Sequence, residues 1–136
     1  MKVLVDTSVW SLALRRKDTD KSEISRKLEN LILSSLVVII GPVRQELLSG
    51  ISNENTFLKL KAKLKAFDDF KITTRDYETA AQFSNTCRKN GIQGSNTDFL
   101  ICALAYNNDF MIYTTDVDFD YFSKHIPIKL LQIDKE

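Results

Sequence analysis

The sequence predicts an α/β protein built on a mainly parallel, five-stranded sheet with helices on both faces. Three observations carry that expectation. Short apolar segments of strand length fall near residues 2–6, 36–40, 69–73, 110–114 and 128–133. Helical patterns fill the gaps, and strand–helix–strand crossovers join parallel neighbours and cover a sheet on both sides. The chain has 136 residues, enough for one core and too few for two, so residues 1–136 are expected to form a single domain that must hold any active site.

The helices justify themselves in order. From Asp20 to Ser35, the residues Ile24, Leu28, Leu31 and Ile32 recur at helical spacing behind candidate caps Asp20 and Ser22. Pro42 suits a helix start, where its missing N–H costs nothing, and Gly50 marks that helix's end. Phe57, Leu60 and Leu64 share one face between Asn55 and Ala66. Tyr77, Ala80, Ala81, Ser84 and Cys87 do the same between Thr74 and Lys89, closed by Gly91. The run "TDFLICALAY" is apolar around almost its whole circumference after its acid, which predicts a buried helix.

Bulk composition excludes several classes. With 43% hydrophobic and 27% charged residues and no low-complexity tract, the chain reads as folded rather than disordered. No apolar run approaches the roughly 20 residues of a spanning helix, because "LVVIIGPV" is stopped by Gly41 and Pro42. The opening "MKVLVD" is too short for a signal peptide. Cys87 and Cys102 are isolated, which reads as reduced structural thiols in a cytoplasmic protein. A net charge of +1 demands neither nucleic acid nor membrane as a partner.

The chemistry lies in the acids. Asp6 leaves the first strand directly, Glu46 sits on the helix "PVRQELLSG" after the second, Asp98 opens the buried helix, and Asp116 follows the strand "FMIYT". Each has an ordinary explanation when taken alone. Asp6 before "TSVW" suits a helix cap, Asp98 completes the capping box "SNTD", Glu46 fits a solvated helix face, and Asp116, Asp118 and Asp120 suit a turn. Together they would converge on the carboxyl edge of the sheet, where open α/β sheets place their ligands. Two carboxylates about 4 Å apart repel by about 4 kcal/mol at an effective dielectric near 20. No lysine or arginine is embedded beside Asp6, Asp98 or Asp116, so a divalent cation is the natural compensator, and all-oxygen ligands suit Mg²⁺ or Mn²⁺ better than zinc. Such a site activates water and stabilises a leaving oxygen in phosphodiester hydrolysis. The only histidine, His125, leaves no paired-imidazole route.

The segments "VLVDTSVW", "GPVRQELLSG", "GSNTDFLICALA" and "IYTTDVDF", in this order along nearly the full chain, resemble the PIN-domain nucleases, specifically the VapC-type toxins of bacterial toxin–antitoxin pairs. That resemblance implies a three-layer α/β/α sandwich (PIN-like), Mg²⁺-dependent endoribonuclease activity on RNA, a homodimer, and a cognate antitoxin that inserts a segment into the active site. The family's catalytic and metal-binding acids fall on Asp6, Glu46, Asp98 and Asp116, with Asp6 and Asp98 as principal ligands. Thr114, in the family's T-x-D element, and Thr7 or Ser8 would hydrogen-bond a carboxylate or a metal-bound water. Asp118 falls where the family varies.

Cationic contacts to RNA are expected from Arg15 and Arg16, close in sequence to Asp6; the lysines from Lys59 to Lys65 read as solvated cover for core edges. Trp10 and Leu14 read as core, with a partner surface as the alternative. A PIN nuclease that processes RNA without being a toxin, or an inactive PIN-like binding module, are the competing readings. Aspartyl-phosphate chemistry does not fit, since Ser8 stands where a haloacid dehalogenase places its second aspartate, and phosphate-binding glycine motifs are missing.

Overall fold

A computed structural model describes residues 1–15 and 22–132, with the side chain of residue 15 outside the description. The elements run β1 (Val3–Val5), α1 (Thr7–Arg15), α2 (Glu23–Leu33), β2 (Val37–Val38), α3 (Gly41–Leu48), α4 (Glu54–Leu64), α5 (Thr74–Lys89), α6 (Asn96–Asn108), β3 (Met111–Tyr113) and α7 (Asp118–Ser123). The helical expectations hold closely. α2 starts at the Ser22 cap, whose side chain accepts from the Ser25 N–H; the other candidate cap, Asp20, lies outside the described residues. α5 spans Thr74–Lys89 as expected, but its buried face is Asp76, Ala80, Phe83 and Cys87, with Tyr77 and Ala81 of the expected face exposed; Gly91 beyond it adopts φ +77°, a conformation that a Cβ disfavours.

The sheet is parallel throughout, in the order β2-β1-β3. Val3, Leu4 and Val5 of the central strand are all buried. Because successive strand side chains point to opposite faces, that pattern requires cover on both sides. α2 packs against β2, α6 packs against β1 and β3, and α5 lies along α6.

The five expected strands reduce to three. Residues 69–73 and 128–133 meet the sheet through single parallel bridges, Ile39 with Asp69 and Ile112 with Leu130, and residue 133 lies outside the described residues. Each segment has a neighbour on one side only and leaves quickly. After the Phe70 N–H bonds the Ile39 carbonyl, Thr73 gives its N–H to the Asp76 carboxylate and becomes the cap of α5. Apolar content identified these segments, but ladder length depends on where the next cap pulls the chain away. α7 has no counterpart among the predicted helices.

The centre of the core is α6, in which Phe99 through Ala105 are seven consecutive buried residues. Trp10 is buried against the edge of Phe67, settling its placement, whereas Leu14 is only partly covered. Arg44 fixes α3 to its surroundings: its guanidinium donates to the Asp69 carboxylate at 2.9 Å, to the Leu64 carbonyl at the end of α4 at 2.9 Å, and to the Phe67 carbonyl.

Asp76 is the buried acid that serves the fold. Its carboxylate accepts from the Thr73 N–H and hydroxyl on one oxygen and from the Asn107 amide on the other, joining α5 to the end of α6. Burial works to raise its pKa, but the hydrogen bonds from Asn107 and Thr73 and the charge of Arg75 outweigh it, and the carboxyl is held below its ordinary value. A depressed folded-state value means that the ionised form favours the folded chain. The contribution is therefore complete above the unfolded pKa near ~4 and disappears as pH falls through the depressed value. Asp76→Ala is expected to cost about 1–3 kcal/mol at pH 7, and chemical denaturation should show the gap from wild type closing as the pH is lowered below the ordinary carboxylate range.

Candidate active site

The carboxyl ends of β1 and β3 place two of the four acids side by side. Asp6 follows Val5, and its N–H bonds the Tyr113 carbonyl at 2.9 Å, so the two strand exits are tied together. The residue is only 5% exposed. Its Oδ2 accepts from the Ser8 hydroxyl at 2.7 Å and the Thr114 hydroxyl at 2.8 Å. Thr114 Oγ1 accepts in turn from the Asp116 N–H at 3.0 Å, and Ser8 Oγ from the Thr115 N–H at 3.1 Å. Two short polar side chains thus lock Asp6 and the start of the 114–116 turn into one unit.

Asp98 comes to the same edge at the first turn of α6. The capping box predicted for "SNTD" forms in full: the Ser95 N–H donates to Asp98 Oδ2 and the Asp98 N–H donates to Ser95 Oγ, both at 3.1 Å. Burial pushes the Asp98 carboxyl above its ordinary value, the charges of Asp6 and Asp116 push the same way, and the Ser95 bonds only partly offset them. Cys102, one turn further into the core, reports the same crowding. Its thiol is raised well above the usual value by burial and then by the charges of Asp98, Cys87 and Asp6. Both cysteines are free and buried.

Each acid commits one oxygen to the protein. Asp6 and Asp98 use Oδ2 as above, Asp116 accepts the Asp118 N–H on Oδ1 at 2.9 Å, and Glu46 accepts the Thr7 hydroxyl on Oε1 at 2.8 Å. The second oxygens, Asp6 Oδ1, Asp98 Oδ1, Asp116 Oδ2 and Glu46 Oε2, have no hydrogen-bond or ion-pair partner among the described residues. They are not sealed orphans either, since the buried unpaired side-chain atoms among the described residues are Trp10 Nε1 and Asn107 Oδ1. Hard, partly solvated carboxylate oxygens are the donor chemistry of a Mg²⁺- or Mn²⁺-type ion.

The placement is unequal. Asp6, Asp98 and Asp116 lie near enough for Asp98 to feel both other charges, whereas Glu46 is exposed and lines a groove of about 420 Å³ between α1, α3 and α4 with Leu14, Leu47, Leu60, Lys59 and Lys63. With the side chains turned back onto local donors, no three Asp, Glu, His or Cys groups among the described residues are gathered closely enough to enclose a metal ion. Asp118 and Asp120 lie in the first turn of α7, and Asp118 contributes its N–H to Asp116. Arg16 lies outside the described residues, as does the side chain of Arg15. What the sequence does not disclose is the packing behind the acids, in which Gly94, Phe99 and Phe122 meet.

A parallel α/β domain with acids delivered to the carboxyl edge of its sheet defines the general class. The chain belongs to the PIN domain family, whose model matches residues 3–124. PIN domains are generally nucleases. Among solved structures, the chain superposes on one from FitAcB of Neisseria gonorrhoeae with a TM-score of 0.76, 20% identity and 96% of each chain covered. DNA-bound VapBC from Salmonella typhimurium gives a TM-score of 0.77 at 14% identity, covering 96% of this chain and 97% of that one. A toxin–antitoxin complex from Klebsiella pneumoniae gives 0.65 at 16% identity, covering 87% and 90%. At such identities the likeness is one of fold. No curated protein sequence is a significant match. No helix among the described residues is long and apolar enough to cross a membrane.

Two outcomes follow from the geometry. Because the Asp98 pKa is raised, ionising it opposes folding, and the penalty grows as pH rises from the ordinary carboxylate range through the raised value. In EDTA at pH 7, Asp98→Asn, which keeps the acceptor for the Ser95 N–H, should therefore melt at a higher temperature than wild type. Thr114→Val removes the hydroxyl's bonds with Asp6, the Asp116 N–H and Ser8 while keeping its shape and should lower stability by about 1–2 kcal/mol in urea titrations.

Proposed function

We propose that this protein is a Mg²⁺-dependent endoribonuclease, active also with Mn²⁺, and the VapC-type toxin of a toxin–antitoxin pair. The observation that carries the reading is the trio Asp6, Asp98 and Asp116: charges that act on one another, each with one oxygen anchored by protein and the other free of protein partners. Family membership supports nuclease chemistry, and the fold shared with a toxin–antitoxin complex supports the toxin assignment.

In this reading Asp6 and Asp98 are the principal metal ligands, with Asp116 and Glu46 completing the acidic set by turning from their local donors. When bound, a divalent ion supplies an activated water for attack on phosphorus and stabilises charge on the leaving oxygen. The protein's own contribution is orientation. Ser8 and Thr114 fix one oxygen of Asp6, so the free one points in a set direction, Thr7 restrains Glu46, and Ser95 restrains Asp98. Proximity of this kind is worth several kcal/mol of barrier when it need not be built during the reaction. Arg15, the last residue of α1, and Arg16, next in the sequence, would contact RNA phosphates. The cognate antitoxin would lie in the groove shared by Leu14 and Glu46 and reach the acids from there. A homodimer is the proposed assembly.

Purified protein incubated with mixed RNA should cleave it in Mg²⁺ and not in EDTA. Asp98→Asn and Asp6→Asn should each lower the rate by at least about 100-fold. Cleavage that persists in EDTA, or variants as active as wild type, would refute the assignment. Controlled expression should arrest growth if the protein is a toxin; sustained growth alongside metal-dependent cleavage would point to an RNA-processing nuclease instead.

A further inference from the structure

The loop between α5 and α6 passes over an aromatic contact with no room to spare. A Cβ placed on Gly94 would stand 2.6 Å from Cζ of Phe122 and 3.0 Å from Cε2 of Phe99. Neither ring is free to retreat. Phe122 is fully buried, with its centroid 4.9 Å from that of Phe99 and 5.3 Å from that of Phe119. Gly94 is therefore required here for space.

The contact joins the two halves of the acidic edge. On one side, Asp116 accepts the Asp118 N–H and gives its own N–H to Thr114, so it is held between β3 and the start of α7. Phe122 lies in the last turn of that same short helix. On the other side, Gly94 directly precedes Ser95, and Ser95 grips Asp98 through both bonds of the capping box. Any thickening between Gly94 and Phe122 displaces Ser95 from α7 and carries Asp98 away from Asp116.

We propose that Gly94 and Phe122 are positioning residues, acting as a spacer that sets the separation of Asp98 from Asp116 and thereby the strength with which the acidic edge binds a divalent cation. The proposal rests on the functional reading above. It adds two residues that touch neither metal nor RNA, one of them glycine because its neighbour is an immobile ring.

The test is Mn²⁺ binding by titration calorimetry on the full chain, with thermal melts in parallel. Gly94→Ala should weaken Mn²⁺ binding about tenfold, the lower end of what loss of an outer support costs a metal site. Phe122→Leu in the same chain, which opens the space the new methyl needs, should return affinity to within about threefold of wild type. Wild-type affinity in Gly94→Ala would overturn the spacer, as would a double variant that regains its melting temperature but not its affinity. Should Gly94→Ala not fold, the double variant decides alone: wild-type affinity supports the spacer and weak binding overturns it. A wild-type chain whose Mn²⁺ binding is absent, or is unchanged by Asp6→Asn, would instead overturn the functional reading, and so the two failures are distinct.

Discussion

Like charge held together at the end of an apolar core is the constraint on which this architecture turns. Asp6 is buried and Asp98 half-buried at the end of a core that includes Leu4, Ile101 and Cys102, and the charge of Asp6 acts on Asp98 there. Left to themselves, the carboxylates would separate. What keeps them in place is the burial of α6 on all sides and the parallel pairing of β1 with β3, both of which deliver an acid as a consequence of satisfying the core.

The polar groups around the acids follow from that constraint. The hydroxyls of Thr7, Ser8 and Thr114 and the backbone N–H of Ser95 carry no charge, so they orient a carboxylate without neutralising it. A lysine or arginine in their place would relieve the repulsion and also occupy the oxygens. Two cations of the described structure are paired with other acids: Arg44 binds Asp69 and the end of α4, and Lys129 binds Asp109. Asp76 shows the contrast within the same chain. Both of its oxygens are taken by Thr73 and Asn107, its pKa is lowered, and it serves to join two helices.

Much of this was legible in the residues. The seven-residue buried stretch of α6 followed from an apolar run without a polar face, and the capping box at Ser95 and Asp98 followed from a four-residue spacing. Such features are local, and local patterns fix local geometry. The two outer strands were overcalled because apolar content cannot report how many ladder bonds an edge segment makes before a cap such as Thr73 takes it away. α7 was missed for a related reason. Its alternating aspartates read as a turn, and the segment becomes helical where Phe119 and Phe122 are buried against one another and Phe122 against Phe99.

By itself, the sequence determined the α/β class, the helices whose periodicity and caps agree, and the acids that leave the strand ends, because each is written in residues adjacent along the chain. The tertiary structure alone decided that Thr114 reaches Asp6 across 108 positions, that Glu46 turns to Thr7 and opens onto a groove, and that Gly94 must yield its space to Phe122. Those outcomes depend on how layers stack and how closely side chains fill the interior. Packing of that kind is a property of distances between remote residues, which no spacing along the chain encodes.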